Sequence, residues 1–207
     1  MYSDLVSYVC PSPNCTAQRT HTVDTITVHH VAGDASVEAL GALFADPKRQ
    51  ASSNYGIGSD GRIACFVPEE SRSWCSGSRE NDMRAITVEV ANSGGEPDWP
   101  VSNAAWESLV ALCTDVCRRY GFQLNFTGDK TGNLTMHKWF QPTACPGPYL
   151  ESRFPLLAQQ VNERLQDKFY RVQCGAFESY ENAVRFRDEL RSKGYGDAFI
   201  TEVRRDK

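Results

Sequence analysis

The sequence of 207 residues has no long apolar run, so it predicts no membrane-spanning helix. No stretch approaches the roughly 20 apolar residues that a membrane-spanning helix requires. The first residues, MYSDLVSYVCPSPNC, have neither the basic start nor the apolar centre of a signal peptide. We therefore expect a protein without a membrane span that is made in the cytoplasm. If its substrate lies outside the cell, another factor must release it.

An excess of positive charge is also missing. The chain has 22 Lys+Arg against 26 Asp+Glu, for a net charge of −4. A nucleic-acid-binding protein needs a basic surface to neutralise phosphates, so we expect no nucleic-acid partner. The charge is uneven, because residues 1–167 carry 13 basic and 19 acidic side chains whereas residues 168–207 carry 9 and 7. The C-terminal segment is therefore a candidate separate module.

Several motifs of metal-dependent enzymes are absent as well. The eight cysteines form no CxxC pair, and the chain has neither the HExxH of zinc peptidases nor the PCxxC of zinc deaminases. Without a signal peptide, free thiols are favoured over disulfides. The spacing still leaves a Cys10–Cys15 or a Cys65–Cys75 bridge open.

The stretch Leu134–Tyr149, LTMHKWFQPTACPGPY, contains a histidine and a cysteine, His137 and Cys145. The other cluster of candidate ligands is the pair His29-His30, far earlier in the chain. Two neutral imidazoles and one thiolate can bind zinc and leave the fourth position open, which is the catalytic pattern. A hydrogen-bonded structural histidine and a small buried cysteine explain the same residues, so both interpretations stay open on spacing alone.

Alternation and helical spacing predict an α/β fold with a mixed central sheet flanked by helices. Residues 24–31, DTITVHHV, and 85–91, AITVEVA, alternate as strands. The segment SSNYGIGSDGRIACFVP indicates a hairpin that turns at Ser59-Asp60-Gly61, with Tyr55 on its first strand. Capping residues and helical spacing predict helices over residues 36–45, 102–121 and 155–165, with Cys113 and Cys117 on a buried face of the second.

The two strands carry three unusual polar side chains. Because side chains alternate along a strand, His29 and His30 point to opposite sides of the sheet and cannot easily bind the same ion. One of them is a ligand candidate and the other a structural histidine. Glu89 interrupts the apolar strand 85–91, where an acid is costly to bury unless it is paired or faces a cleft. A salt-bridged structural acid and a functional carboxylate are both consistent with this position.

The chain divides into three segments by composition. Residues 1–22 are rich in Pro, Ser and Asn and predict an irregular N-terminal arm, and residues 23–166 form the main domain. Residues 168–207 predict a small βαβ appendage, with strands at FYRVQC and DAFITEV and a helix between Ser179 and Gly194. A segment of about 40 residues is near the lower limit for independent folding, so we expect it to need a partner surface.

Five motifs occur in one order and together resemble a known family. They are TITVHHVAG, SSNYGIGSDGRI, RSWCSGS, AITVEVAN and LTMHKWFQPTACPGPYL. The chain from about residue 20 to 166 resembles zinc-dependent N-acetylmuramoyl-L-alanine amidases of phage endolysins, which are related to the peptidoglycan recognition proteins. The tail resembles the first half of a SPOR repeat, a module that binds peptidoglycan glycan strands.

The resemblance implies a set of site residues. The zinc (Zn2+) ligands would be His29, His137 and Cys145, and the family's acid on the central strand corresponds to Glu89. The hydroxyl-bearing tyrosine of the hairpin corresponds to Tyr55, and Thr143 stands where some relatives have lysine. Both would donate hydrogen bonds to a developing oxyanion. Asn54 and Cys75 stand where many relatives have histidine, and neither is a ligand position in the family. The candidate substrate contacts are Asn54, Trp74 and His30.

The function implied is hydrolysis of the amide bond between N-acetylmuramic acid and the L-alanine of the stem peptide. The partner would be peptidoglycan, which the enzyme would reach after holin-dependent release or lysis. A homodimer through the C-terminal appendage is a further expectation. The alternative is a non-catalytic peptidoglycan-recognition module, but such proteins typically lack the cysteine ligand, and Cys145 is present.

Overall fold

A six-stranded mixed sheet organises the N-terminal part of the computed structural model, which describes residues 1–166 and 172–202. Its two central strands are parallel to each other, and each of these two also pairs with one other strand on its outer side. The strands are β1 (Tyr8–Val9), β2 (Cys15–Thr16), β3 (Thr25–His30), β4 (Tyr55–Ile57), β5 (Ile63–Cys65), β6 (Arg72–Ser73), β7 (Ala85–Val90) and β8 (Leu134–Met136). The sheet order is β1-β5-β4-β7-β3-β8, and β2 and β6 form a separate antiparallel pair.

Helices cover both faces of this sheet. The longest begins after Ser102, whose hydroxyl accepts from the Ala105 N–H, and ends at Gly121 in the left-handed conformation. Both ends therefore have the caps that the sequence indicated. The helices are α1 (Val37–Ala45), α2 (Arg79–Arg84), α3 (Asn103–Tyr120), α4 (Gly147–Glu151), α5 (Phe154–Leu165) and α6 (Tyr180–Ser192), with short 3-10 turns at Pro47–Arg49 and His137–Trp139.

The two faces of the sheet differ in polarity. Ile26 and Val28 of β3 lie in the main hydrophobic core, which α3 and α5 cover. The alternate residues of β3, Thr27 and His29, lie on the opposite face. Asn81 of α2 donates to the Thr27 hydroxyl at 2.9 Å, so α2 covers part of this polar face.

The fold-class prediction is confirmed, and the expected long strands, hairpin and helices are present. One local expectation is wrong. The N-terminal arm is not wholly irregular, because β1 pairs with β5 at the sheet edge and β2 pairs with β6. The segment of residues 69–82, for which the sequence predicts no element, contains β6 and the start of α2, which Ser78 caps.

The chain divides into two compact units, Met1–Asp167 and Lys168–Lys207. In the second unit, α6 begins at its predicted cap, Ser179. The predicted flanking strands are absent from residues 172–174 and 197–202, the portions of them that the structure describes. Extended segments become strands only when a neighbour accepts their backbone hydrogen bonds. The rest of both predicted strands, residues 169–171 and 203, lies outside the described residues.

None of the helices in the described part of the chain combines the length and the hydropathy that a bilayer crossing requires.

Candidate metal centre and active site

The pairing of β3 with β7 places a histidine beside a carboxylate. His29 and Glu89 are direct neighbours in this parallel pair, so their side chains project from the same face of the sheet. His29 is 1% exposed, and its position on the polar face follows from the alternation of β3. The strand register therefore brings together two groups that lie far apart in the sequence.

His137 and Cys145 reach the same place from the other side of β3. Strand β8 pairs with β3 and ends at Met136, so His137 begins the 3-10 turn at the sheet edge. The Lys138 N–H donates to the Cys145 carbonyl at 3.1 Å, which ties the two ligand segments together. Gly147, with φ of +81°, allows the chain to turn sharply after the cysteine.

The ligand atoms of His29, His137 and Cys145 all lie within 4.8 Å of one another. Cys145 Sγ is 3.6 Å from His29 Nδ1, and the His30 N–H donates to the same sulfur at 3.5 Å. The zinc–nitrogen and zinc–sulfur bond lengths place tetrahedral ligand atoms roughly 3.5 Å apart, which matches this spacing.

An unpartnered atom of the site also fits a metal. The Nε2 atom of His137 is buried and has no hydrogen-bond partner among the described residues. Buried polar atoms are normally satisfied, so such orphans need an explanation. A set of two imidazoles and one thiolate fits zinc and leaves one position open.

Burial dominates the electrostatics of the cleft. It lowers the pKa of His29 well below its usual value, aided by His137, and it also lowers the pKa of His137. Both rings are therefore neutral at pH 7, which is the form that binds a metal. Burial raises the pKa of the Cys145 thiol, and it raises the pKa of Glu89 to about 8 against the opposing charge of Arg49.

The structure contradicts the expected role of Tyr55. In the pairing of β4 with β7, Tyr55 lies opposite Val88, so its side chain enters the core on the face away from Glu89. It is fully buried, and its hydroxyl donates to Glu69 Oε1 at 2.5 Å and accepts from the Ser3 N–H. Tyr55 is a structural residue and cannot reach a substrate at the metal ligands.

Two of the expected substrate contacts are buried too. Asn54 is fully buried, exchanges hydrogen bonds with Thr87 and accepts one from Arg19, so it joins β4 to β7 and the N-terminal arm. His30 is 9% exposed and its ring packs edge-on against Trp99 on the face opposite His29. The expectation that Asn54 and His30 contact the substrate is therefore wrong.

The other two expected residues keep some exposure. Trp74 is half-buried and its indole N–H donates to the Thr16 hydroxyl at 3.0 Å. Thr143 is exposed and its hydroxyl accepts from the Cys145 N–H at 3.2 Å, which leaves the hydroxyl hydrogen for another acceptor. Thr143 thus lies beside the ligand cysteine.

Cys75 lies near the candidate ligands, a position that the sequence does not predict. Cys75 Sγ, a ring nitrogen of His29 and a carboxylate oxygen of Glu89 lie within 4.8 Å of one another. The backbone N–H of Cys75 donates to the buried Asp82, and this hydrogen bond holds the loop in place. In the sequence, Cys75 is notable only because many relatives have histidine at its position. Its proximity to His29 and Glu89 depends on how the loop folds over β7, which no local pattern predicts.

Comparison with protein families and solved structures gives a consistent result. A family model described as N-acetylmuramoyl-L-alanine amidase matches residues 19–148, and a SPOR domain model matches residues 166–207. No curated protein sequence gives a significant match.

Three similar solved structures illustrate the fold. The Staphylococcus aureus hydrolase AmiA, in complex with its ligand, has a TM-score of 0.60 at 20% identity, over 76% of this chain and 82% of that one. A mutant of PlyL has a TM-score of 0.59 at 18% identity, over 75% and 97%. A selenomethionine derivative of AmpD has a TM-score of 0.58 at 22% identity, over 76% and 99%. At these identities the similarity establishes the fold.

Proposed function

The chain belongs to the N-acetylmuramoyl-L-alanine amidase family, and we propose from this premise that it is a zinc-dependent peptidoglycan hydrolase. The bond cleaved joins the lactyl carbonyl of N-acetylmuramic acid to the amino group of L-alanine in the stem peptide. The observation that carries the proposal is the cluster of His29, His137 and Cys145, with Glu89 beside His29 on the next strand.

The described residues divide the work of hydrolysis between them. Zinc, when bound, would act as a Lewis acid on the carbonyl and on the attacking water. His29, His137 and Cys145 would hold the ion. A carboxylate oxygen of Glu89 lies within 4.8 Å of a ring nitrogen of His29. We assign it as the base that takes a proton from water and later gives it to the leaving amine.

Of the two oxyanion donors that the sequence indicated, Tyr55 and Thr143, we retain only Thr143. Tyr55 is excluded because its hydroxyl is occupied by Glu69 on the other face of the sheet. Thr143 is exposed beside Cys145 and can donate its hydroxyl hydrogen to a developing oxyanion. A donor of this kind typically contributes about 3–4 kcal/mol to lowering the barrier.

The biological setting that we propose is a phage or prophage endolysin that acts on the cell wall after release. The SPOR match to residues 166–207 supports glycan binding by the second unit. We favour this role over homodimerisation, because the match concerns a wall-binding module. Trp74 remains our candidate substrate contact in the catalytic unit, since its ring is half-buried at the cleft loop.

A non-catalytic recognition module is the alternative function. The presence of Cys145 in the histidine cluster, with Glu89 in reach of the same cleft, favours the enzyme. A module that only binds peptidoglycan would need neither a thiolate ligand nor a buried carboxylate beside the ligands.

Metal content tests the proposal directly. Wild type and Cys145→Ser would be dialysed against increasing chelator, and the remaining zinc measured by mass spectrometry. We expect Cys145→Ser to lose zinc at a chelator concentration that wild type withstands. Cys174→Ser, which removes an exposed thiol of the second unit, is the matched control. Equal zinc retention by Cys145→Ser and wild type would contradict the site.

A further inference from the structure

The candidate ligand His137 has a close neighbour that the proposed chemistry does not use. Gln141 follows it by four residues, and the Gln141 N–H donates to the His137 carbonyl at 3.2 Å. Residues four apart in a helical turn are neighbours on its surface, so their side chains can meet. The Gln141 side chain therefore projects beside the ring of His137 from the same turn of the chain.

The loop that precedes α2 contacts the Gln141 side chain. A Cβ atom at Gly77 would lie 1.8 Å from Gln141 Nε2 and 2.3 Å from Gln141 Cδ, so only glycine leaves room for the amide in this place. Gly77 also has φ of +71°, a conformation that glycine adopts without strain. The amide of Gln141 thus lies directly against the backbone of Gly77.

Buried hydrogen bonds fix this loop in position. Ser76 is fully buried, and its hydroxyl donates to Asp82 Oδ1 at 2.6 Å. The Ser76 N–H donates to the same carboxylate oxygen at 3.2 Å, and the Ser78 N–H donates to the Ser76 hydroxyl at 3.2 Å. Gly77 is therefore held between two anchored residues, and Gln141 rests against a fixed surface.

The two ring nitrogens of His137 have different surroundings. Nε2 is buried and has no hydrogen-bond partner among the described residues, so it is the nitrogen available to a metal. Burial lowers the pKa of His137, and the charge of Asp82 and a hydrogen bond with the Gln141 side chain oppose this effect. An amide oxygen that accepts the Nδ1 N–H acts in this direction, and it holds the ring in the tautomer whose Nε2 lone pair is free.

We propose that Gln141 is a positioning residue that orients the His137 imidazole for zinc, with Gly77 providing the space for its amide. This inference rests on the proposed zinc site. Metal-bound histidines almost always donate their second ring N–H to an acceptor, and loss of that acceptor typically weakens metal binding by about 10–100-fold. The side-chain oxygen of Gln141 is the acceptor that this chain supplies to His137.

Zinc affinity tests this role without relying on turnover. The full chain would be freed of metal, and its Kd for zinc measured by competition with a chromophoric chelator. Gln141→Met keeps the length of an exposed side chain and removes its oxygen, so we expect the Kd to rise by about 10–100-fold. Gln141→Glu keeps an oxygen acceptor and should recover most of the affinity. Gln123→Met, at another exposed glutamine, is the control and should match wild type.

A pair of glycine variants tests the contact from the side of the loop. Gly77 and Gly121 have φ of +71° and +75°, so alanine introduces similar backbone strain at both. Apart from its chain neighbours, no described residue comes within 4 Å of a Cβ at Gly121, whereas at Gly77 the methyl group displaces the Gln141 amide. We expect Gly77→Ala to weaken zinc binding and Gly121→Ala to leave the Kd unchanged.

The possible outcomes separate this inference from the zinc site itself. Equal Kd values for Gln141→Met and Gln123→Met overturn the role of Gln141 and leave the three-ligand site intact. A loss of affinity that Gln141→Glu does not recover overturns the hydrogen bond as its cause. Wild-type protein that binds zinc no better than Cys145→Ser overturns both the site and the inference. Weaker binding by Gln141→Met, with an unchanged urea midpoint of the metal-free protein and recovery in Gln141→Glu, supports Gln141 as a positioning residue.

Discussion

Glu89 is the residue on which the proposed chemistry depends most. Its carboxylate is set beside His29 by the register of β3 and β7, and burial raises its pKa to about 8. A carboxylate with a raised pKa is a stronger base, and in its ionised form it can take a proton from water and return it. The same residue lies in an otherwise apolar strand, which is the sequence signal that identified it.

Glu89→Gln should keep the fold and the metal but lose most turnover. Glutamine has the same shape and cannot accept the proton, so we expect kcat to fall by about 10²–10⁴-fold. Product release from peptidoglycan measures the effect, and Glu107→Gln, at an exposed ion pair, is the control. Near-wild-type turnover of Glu89→Gln would show that another group is the base.

Tyr55→Phe should change stability and leave the chemistry alone. The substitution removes the hydroxyl that joins Glu69 to the Ser3 N–H, so two buried groups lose a partner. We expect the free energy of unfolding to fall by about 1–3 kcal/mol, measured by urea denaturation. Turnover per folded molecule should be unchanged, and a large loss of kcat with unaltered stability would restore Tyr55 to the active site.

The sequence indicated some side-chain positions correctly and others not. Alternation alone separated His29 from His30, because both lie on one strand whose period is two. Alternation alone did not predict the side of the sheet on which the Tyr55 side chain lies, because that side depends on the register between β4 and β7. A shift of one residue in this register would place the side chain on the opposite face. Cys75 lies in a loop whose position is set by Asp82, and no local pattern encodes that contact.

The C-terminal end of helix α3 is bound to the loop that follows β5 by contacts with a buried carboxylate. Arg119 donates to both oxygens of Glu69, at 2.6 and 2.7 Å, and the Glu69 side chain is fully buried. Tyr120 donates to the same carboxylate at 3.0 Å. The end of α3 therefore neutralises a charge that could not otherwise be buried.

Arg119→Met should strongly destabilise the protein. It leaves Glu69 buried without its cation, and breaking one side of a buried pair costs about 3–5 kcal/mol. Arg62→Met is the matched control, because Arg62 pairs with Glu38 at the surface, where such a change costs about 0–1 kcal/mol. Similar urea midpoints for the two variants would contradict this account of α3.

The elements that the sequence predicted are the ones with long periodic patterns. α1, α3 and α5 each carry several apolar residues at helical spacing, and β3 and β7 are six residues long. The missed elements are short, such as β1 and β6 with two residues each. Two residues are too few to show a periodic pattern. These strands form because a neighbouring strand is available to pair with them.

At the scale of the whole molecule, the two units have separate expected roles. We expect the chain without residues 168–207 to cleave a soluble muramyl-peptide as fast as the full chain, because every proposed ligand lies in the first unit. It should bind insoluble peptidoglycan more weakly, as a sedimentation assay would measure. Equal sedimentation of the two forms would remove the wall-binding role from the second unit.

We propose that the site formed by His29, His137 and Cys145 hydrolyses the bond between N-acetylmuramic acid and L-alanine. Mass spectrometry of the products from purified peptidoglycan, with enzyme as purified, after chelation and after zinc is restored, tests it most directly. We predict stem peptides with free L-alanine amino termini and intact glycan strands, lost on chelation and recovered with zinc. Bound but uncut peptidoglycan, or cuts within the stem peptide, would contradict the account.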